Sequence, residues 1–237
     1  MRGVAALGHA CFGVDTIAVM TAPNAKALRA SNYQGKPIDF IVRYVSLGAE
    51  GGWDIEAAEI DTILSEGLAL LLVQHVREPN WVPSTARGAS DGAQAAKNAL
   101  AIGYATTCTI AVDVEGIAPG TPAAVVTDYI NAWSAAIVAA GYQAMVYVGY
   151  AAVLTPAQLY NDLPNVHAYW SDFGKRQVAV RGFCLKQLAE DVTLPGTNFE
   201  VDPDEMMADA LGGFPTWMVA AASAANANDA SSSNDAA

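Results

Sequence analysis

Apolar runs of strand length recur along the chain and alternate with segments of helical character. The runs are hydrophobic throughout rather than at every second residue, which is typical of strands covered on both faces. Repeated alternation of strand and helix predicts a parallel sheet, either a closed eight-stranded barrel or an open doubly wound sheet. The candidate strands are residues 11–16, 40–45, 68–76, 109–115, 144–148, 166–170, 183–188 and 198–202.

Capping residues mark the intervening helices. Thr155 and Pro156 are an N-cap and a first-turn proline, and Asp54 is expected to cap a helix that ends at Gly67. The count of strands favours the barrel, and no glycine-rich turn of the kind that a nucleotide-binding sheet needs follows the first strand. We therefore predict an α/β fold consisting of a single (β/α)8 TIM-type barrel over residues 11–218.

The two ends of the chain are predicted to lie outside this barrel. Residues 1–10 are expected to form an N-terminal extension, and their short apolar patch is not typical of a secretory signal. Residues 219–237 are rich in Ala, Ser, Asn and Asp, which predicts a disordered tail. The protein is thus expected to be made in the cytoplasm and to act after release or delivery.

Charge and composition exclude several classes of partner. The net charge of -12 would repel a nucleic acid rather than release its counterions. Hydrophobic residues make up 53% of the chain, yet no run reaches the roughly 18 apolar residues that a membrane span needs. The three widely spaced cysteines form neither a metal knuckle nor a disulfide framework. No cofactor is expected.

Acidic residues end several of the predicted strands, and barrels build their active sites at the carboxyl ends of their strands. Asp113 and Glu115 are two residues apart, so both should face one pocket with backbones roughly 6–7 Å apart. Their mutual repulsion should raise the proton affinity of one of them, as general acid catalysis requires. Glycoside hydrolysis uses such a pair. Asp15 and Asp202 end other strands and complete a predicted four-carboxylate site.

Other residues late in the strands are expected to bind the substrate. They are Arg43, Tyr44, Gln74, His75, Tyr147, Trp170 and Gln187. Aromatic side chains such as Tyr44, Trp53 and Trp81 provide flat surfaces for sugar rings or for packing. The carboxylates could instead hold Mg²⁺ or Ca²⁺, but no EF-hand spacing or phosphate-binding glycine loop supports a metal. We therefore predict no metal site.

An ordered set of short motifs resembles a family of glycoside-hydrolase-like domains, once known only as a domain of unknown function. This resemblance extends over about residues 12–205 and implies a barrel related to the family-25 lysozymes, which cut the β-1,4 bond after N-acetylmuramic acid in peptidoglycan. The motifs are Gly-Val-Asp-Thr, Phe-Ile-Val-Arg-Tyr, Gly-Leu-Ala-Leu-Leu-Leu-Val-Gln, Gly-x-x-Asp-Gly-x-x-Ala, Ile-Ala-Val-Asp-Val-Glu and Gly-Tyr-Gln-Ala-Met-Val-Tyr.

The resemblance also implies roles for the acidic residues. Glu115 would protonate the leaving oxygen, Asp113 would assist the acetamido group of the substrate, and Asp15 and Asp202 would line the site. A chitinase would need Asp-x-Asp-x-Glu, and Ala111 occupies the first of those positions.

Three hypotheses of function follow from the residues and the resemblance. The first is a peptidoglycan-directed glycosidase, such as a phage lysin or a virion-associated lytic domain. The second is a catalytically weak or inactive glycan-binding or structural barrel module of a phage or secretion assembly, joined to it through the C-terminal tail. The third is a metal-dependent hydrolase with an ion between Asp15, Asp113 and Asp202.

Overall fold

The structure, a computed structural model, describes residues 2–46, 52–75, 77–149, 152–174 and 177–221. Strands and helices alternate through about the first two thirds of the chain, up to the helix Pro156–Asn161. The strands are β1 (Arg2–Ala6), β2 (Cys11–Asp15), β3 (Asn32–Tyr33), β4 (Lys36–Val45), β5 (Ala69–Gln74), β6 (Thr109–Asp113), β7 (Gln143–Val148), β8 (Val166–Ser171), β9 (Leu185–Gln187), β10 (Val192–Thr193), β11 (Glu200–Met206) and β12 (Thr216–Ala220). The helices are α1 (Ala22–Ala30), α2 (Ala57–Ser65), α3 (Thr85–Ala101), α4 (Ala123–Ala139) and α5 (Pro156–Asn161).

Eight of the described strands close into a barrel, which confirms the predicted fold class. The order around the barrel is β2, β4, β5, β6, β7, β8, β9 and β11, and β11 pairs again with β2. A helix follows each of β2, β4, β5, β6 and β7 in the chain and leads to the next barrel strand. The candidate strands of the sequence correspond to these eight, with ends that differ by a few residues.

The last barrel strand does not follow the parallel pattern. Strand β11 pairs antiparallel with both β9 and β2, whereas the other barrel pairs are parallel. A parallel return requires a crossover, usually a helix. Residues 188–199 contain the short strand β10 instead, which pairs antiparallel with β11. The chain therefore turns back along the barrel, and the expectation of a wholly parallel sheet is wrong at this strand.

Alternation along the strands divides the apolar side chains into two clusters. One fills the barrel and includes Phe40, Met145 and Trp217, and the other packs between the barrel and the helices. Gly13 leaves room for the inner cluster, because a Cβ built there would lie 2.2 Å from the ring of Phe40. The barrel is thus a filled core that supports the polar residues at its mouth.

Helices α3 and α4 approach each other closely through glycine. A Cβ at Gly88 would lie 2.2 Å from the Tyr129 carbonyl oxygen, and one at Gly92 would lie 2.4 Å from that of Trp133. The Gly-x-x-Asp-Gly segment of the sequence is therefore a packing motif in this structure. Among the described helices, none is long and apolar enough to cross a membrane.

The described chain ends form a pair of strands rather than extensions. Strand β1 pairs antiparallel with β12, and Met218 of β12 pairs with Leu70 of β5. Residues 2–6, expected to precede the barrel, thus belong to its sheet, and Val219 and Ala220, expected to begin the tail, belong to β12. The rest of the predicted tail, residues 222–237, lies outside the described residues.

Candidate active site

A polar cavity of about 90 Å³ opens at the carboxyl end of the parallel barrel strands. Among the described residues that line it, five are carboxylates and none is a Lys, Arg or His. The lining residues are Asp15, Tyr44, Val73, Asp113, Glu115, Tyr147, Trp170, Gln187, Glu190 and Asp202. All four predicted acidic residues therefore meet in one place.

Asp113 and Glu115 lie on one side of this cavity. Asp113 is the last residue of β6 and is buried, while Glu115 lies just beyond the strand. The backbone N–H of Glu115 donates to Asp113 Oδ1 (2.9 Å), and the indole Nε1 of Trp81 donates to the Glu115 carbonyl oxygen (2.7 Å). Burial, and secondarily the charge of Glu115, raises the pKa of Asp113 well above its usual range.

Asp15 and Asp202 lie on the adjacent strands β2 and β11, where they are direct Cα partners. Asp202 was expected at the end of a parallel strand, but it is the third residue of β11. Because β11 runs antiparallel, its beginning lies at the same end of the barrel as the ends of the other strands. The side chain therefore reaches the predicted place from a strand of opposite direction.

Asp204 is a further buried carboxyl below this pair. Its Oδ1 accepts from Trp170 Nε1 (2.9 Å). Asp15 Oδ2 and Asp204 Oδ2 are buried and, within the described residues, have no hydrogen-bond partner. Burial is the largest cause that raises the pKa of both carboxyls well above the usual range, and neighbouring carboxylates raise the pKa further.

Polar side chains on the other strands hold the carboxylates in position. The Tyr44 hydroxyl donates to Asp15 Oδ1 (3.2 Å). The Tyr147 hydroxyl donates to Gln187 Oε1 (2.6 Å), and Gln187 Nε2 donates to Asp202 Oδ2 (2.7 Å). The structure thus places Tyr44, Tyr147, Trp170 and Gln187 in the lining of the cavity, and their contact with substrate stays a prediction.

Arg43 and Gln74 do not contact the cavity, and this part of the prediction is wrong. Both side chains are fully buried on the outer face of the barrel. Arg43 donates to Glu59 of α2 (Nε–Oε1 2.6 Å), and Gln74 accepts from Trp133 Nε1 of α4 (2.6 Å). Successive strand residues face opposite sides, so the inward positions belong to Tyr44 and Val73 instead.

His75 lies beside the cavity rather than in its lining. Its Nε2 lies 3.1 Å from Asp54 Oδ1, and its ring centroid lies 4.6 Å from that of Tyr44. Burial lowers the pKa of His75, which outweighs the opposing effect of Asp54. Asp54, predicted to cap α2, is therefore occupied by this contact, and Glu56 precedes the helix instead.

The sequence analysis missed three residues of the site. Asp204 could have been identified from its Asp-x-Asp spacing with Asp202, which places both on one strand face. Glu190 lies in the loop after β9, where no periodic signal exists. Gly149 lies against Glu115, because a Cβ there would be 1.9 Å from Glu115 Oε1. Among the described residues no group of three or more His, Cys, Asp or Glu is arranged to hold a metal ion.

Solved structures with the same fold are similar to this chain over most of its length. A Bacillus stearothermophilus protein described as uncharacterized has a TM-score of 0.63 at 18% identity, covering 82% of this chain and 94% of its own. The Tat-secreted protein Rv2525c of Mycobacterium tuberculosis, in complex with L-tartrate, has a TM-score of 0.59 at 16% identity (84% and 95% coverage). A bacterial lysozyme from Streptomyces coelicolor has a TM-score of 0.60 at 14% identity (85% and 94% coverage).

Sequence comparison gives the family. No curated protein matches the chain. A family model described as "Rv2525c-like, glycoside hydrolase-like domain" matches residues 31–206, which include Asp113, Glu115 and Asp202. This chain therefore belongs to the Rv2525c-like family of glycoside hydrolase-like domains.

Proposed function

We propose that this protein is a peptidoglycan-directed glycosidase of the N-acetylmuramidase type. The observation that carries the proposal is that Asp113 and Glu115 share one cavity at the barrel mouth with Asp15 and Asp202. Membership of a glycoside hydrolase-like family supports the reaction class, and the fold shared with a lysozyme supports the substrate class.

Glu115 acts as the general acid in this proposal. Its proton passes to the glycosidic oxygen while the bond from that oxygen to the anomeric carbon breaks. The acetamido oxygen of the same sugar attacks the anomeric carbon, and the buried Asp113 carboxyl orients the acetamido N–H. A water molecule then gives its proton to Glu115 as its oxygen bonds to the anomeric carbon, and the acetamido group is restored.

The structure around the pair suits this role. The backbone N–H of Glu115 fixes the Asp113 carboxyl next to the proposed acid. Burial, and secondarily the charge of Glu115, raises the pKa of Asp113, so the two carboxyls influence each other's protonation.

We infer that the enzyme works at the cell wall after release or delivery, as a phage endolysin or a virion-associated lytic domain does. An assembly partner for the C-terminal tail belongs to the same proposal. The inferred substrate supports this, because peptidoglycan lies outside the cytoplasmic membrane.

A second candidate function is a glycan-binding barrel without turnover. The specific observation in its favour is the size of the cavity, about 90 Å³, compared with about 300–1,000 Å³ for typical small-molecule sites. A cavity of this size encloses only part of a sugar chain. Binding without hydrolysis would then depend on surfaces outside it.

Release of soluble muropeptides from purified peptidoglycan tests the proposal. We expect wild-type protein to release them and Glu115→Gln to lose about 10²–10⁴-fold of the rate, since the general acid contributes about that much. Equal denaturation curves would show that the variant is folded. Equal release by both proteins would overturn the role of Glu115. Sedimentation of both proteins with peptidoglycan without release would favour the binding module.

A further inference from the structure

Three aromatic rings form a row that leads out of the cavity. Tyr44 lines the cavity, His75 lies next to it at 4.6 Å between ring centroids, and Trp53 lies beyond His75 at 5.8 Å. Trp53 is 55% exposed, whereas the other four tryptophans of the chain are all buried. Tryptophan side chains are highly buried on average, so an exposed indole next to a polar cavity is unusual.

The turn that carries Trp53 is held by buried groups. Arg43 Nη2 donates to the Trp53 carbonyl oxygen (3.0 Å), and Arg43 is itself paired with Glu59. The backbone N–H of Ile55 donates to the Tyr44 carbonyl oxygen (3.0 Å). These contacts tie the backbone from Trp53 to Ile55 to strand β4. The place of Trp53 beside the cavity is therefore set by buried groups of the barrel.

The small size of the cavity indicates that this row of rings contacts the part of a glycan that lies outside it. A glycan strand that places one sugar at Asp113 and Glu115 must continue outside the cavity, because only about 90 Å³ is enclosed. The row of rings begins inside the cavity at Tyr44 and ends in solvent at Trp53. Ring faces offer apolar contact to the C–H faces of a pyranose, and they require no charge on the ligand.

We propose that Tyr44, His75 and Trp53 form an outer sugar subsite, in which a pyranose of a glycan strand stacks on the indole of Trp53. This inference rests on the proposed glycan-directed function and assigns Trp53 to its substrate binding. The buried Arg43, which sequence reasoning assigned to the substrate, acts here as a positioning residue for the Trp53 turn.

Binding of a peptidoglycan-derived octasaccharide without stem peptides tests the subsite. In the Glu115→Gln background, which prevents turnover, Trp53→Ala should weaken the affinity about tenfold, and Trp53→Phe should retain most of it. Leu100→Ala removes an exposed apolar side chain at the far end of α3 and should change nothing. Affinities within twofold of one another for Trp53→Ala and its parent, or no octasaccharide binding at all, would overturn the subsite.

Quenching of tryptophan fluorescence by acrylamide gives an independent readout. Trp53 should account for most of the accessible fluorescence, and bound octasaccharide should protect it. Unchanged quenching on binding would contradict stacking at Trp53. The outcomes are separable from those for catalysis: Glu115-dependent muropeptide release with no effect of Trp53→Ala would overturn the subsite alone, whereas Trp53-dependent binding without release would overturn the hydrolase alone.

Discussion

At the scale of single residues, Gly149 determines whether the carboxyl of Glu115 fits at the barrel mouth. A Cβ at residue 149 would lie 1.9 Å from Glu115 Oε1 and 2.2 Å from its Cγ. Gly149→Ala should therefore displace Glu115, and a displacement of about 1 Å can cost about 10²-fold in rate. We expect muropeptide release to fall about 10²-fold in the variant while its urea midpoint changes little.

Gly3→Ala is the matched control for this substitution. A Cβ at Gly3 would come no closer than 3.5 Å to another atom, so the variant should keep the wild-type rate. Wild-type release by Gly149→Ala would show that the position of Glu115 is unimportant, contrary to our assignment.

Residue by residue, the sequence predicts which strand positions are polar but not which face they occupy. Barrel strands are apolar on both faces. The sequence of β4 or β5 therefore does not show which of its alternate residues face the inside of the barrel. Arg43 and Tyr44 were therefore equivalent candidates, and only the barrel shows that Tyr44 faces inward and Arg43 outward. The prediction for Asp113 and Glu115 did not depend on this choice of face, because two residues that are two apart on a strand always face the same side.

At the scale of elements, α3 and α4 depend on glycine where they cross. Gly92→Ala would normally strengthen a helix by roughly 0.5–1 kcal/mol. Here the new methyl group would lie 2.4 Å from the Trp133 carbonyl oxygen, a backbone atom, so the helices must separate. We expect a net loss of about 1–3 kcal/mol in the free energy of unfolding, measured by urea denaturation. Unchanged or greater stability would contradict this packing.

Element directions were predicted less well than element positions. The sequence places the eight strands, and the amphipathic helices between the early ones require parallel returns. Residues 188–199 carry no helical period, and this was the signal that β11 runs in the opposite direction. Asp202 nevertheless lies at the mouth of the barrel. The prediction assigned the wrong direction to its strand and the wrong end of that strand to the residue, and these two errors cancel.

At the scale of the whole molecule, the buried carboxyls set how stability depends on pH. The pKa values of Asp15, Asp113 and Asp204 are raised in the folded state, so the folded protein holds protons that the unfolded chain has lost. Their contribution is fully present below the ordinary carboxyl pKa of about 4 and is lost as the pH rises from there through the raised values. Each such group lowers the free energy of unfolding by about 1.4 kcal/mol per pH unit within that window.

Asp204→Asn should reduce this dependence. The amide keeps an acceptor for Trp170 Nε1 and has no titrating proton. Urea denaturation between pH 5 and pH 8 should give a shallower decline of stability with pH than in the wild type. Asp128→Asn, on an exposed position of α4, should keep the wild-type slope. The same slope in all three proteins would contradict a raised pKa at Asp204.

The proposed reaction is cleavage of the bond after N-acetylmuramic acid by the carboxylates at the barrel mouth. Borohydride reduction of digested peptidoglycan followed by mass spectrometry measures the new reducing ends directly. We predict products that end in muramitol with the wild type and about 10²–10⁴-fold slower formation of them with Glu115→Gln. No new reducing ends with folded wild-type protein, or ends formed at the same rate by the variant, would contradict the account.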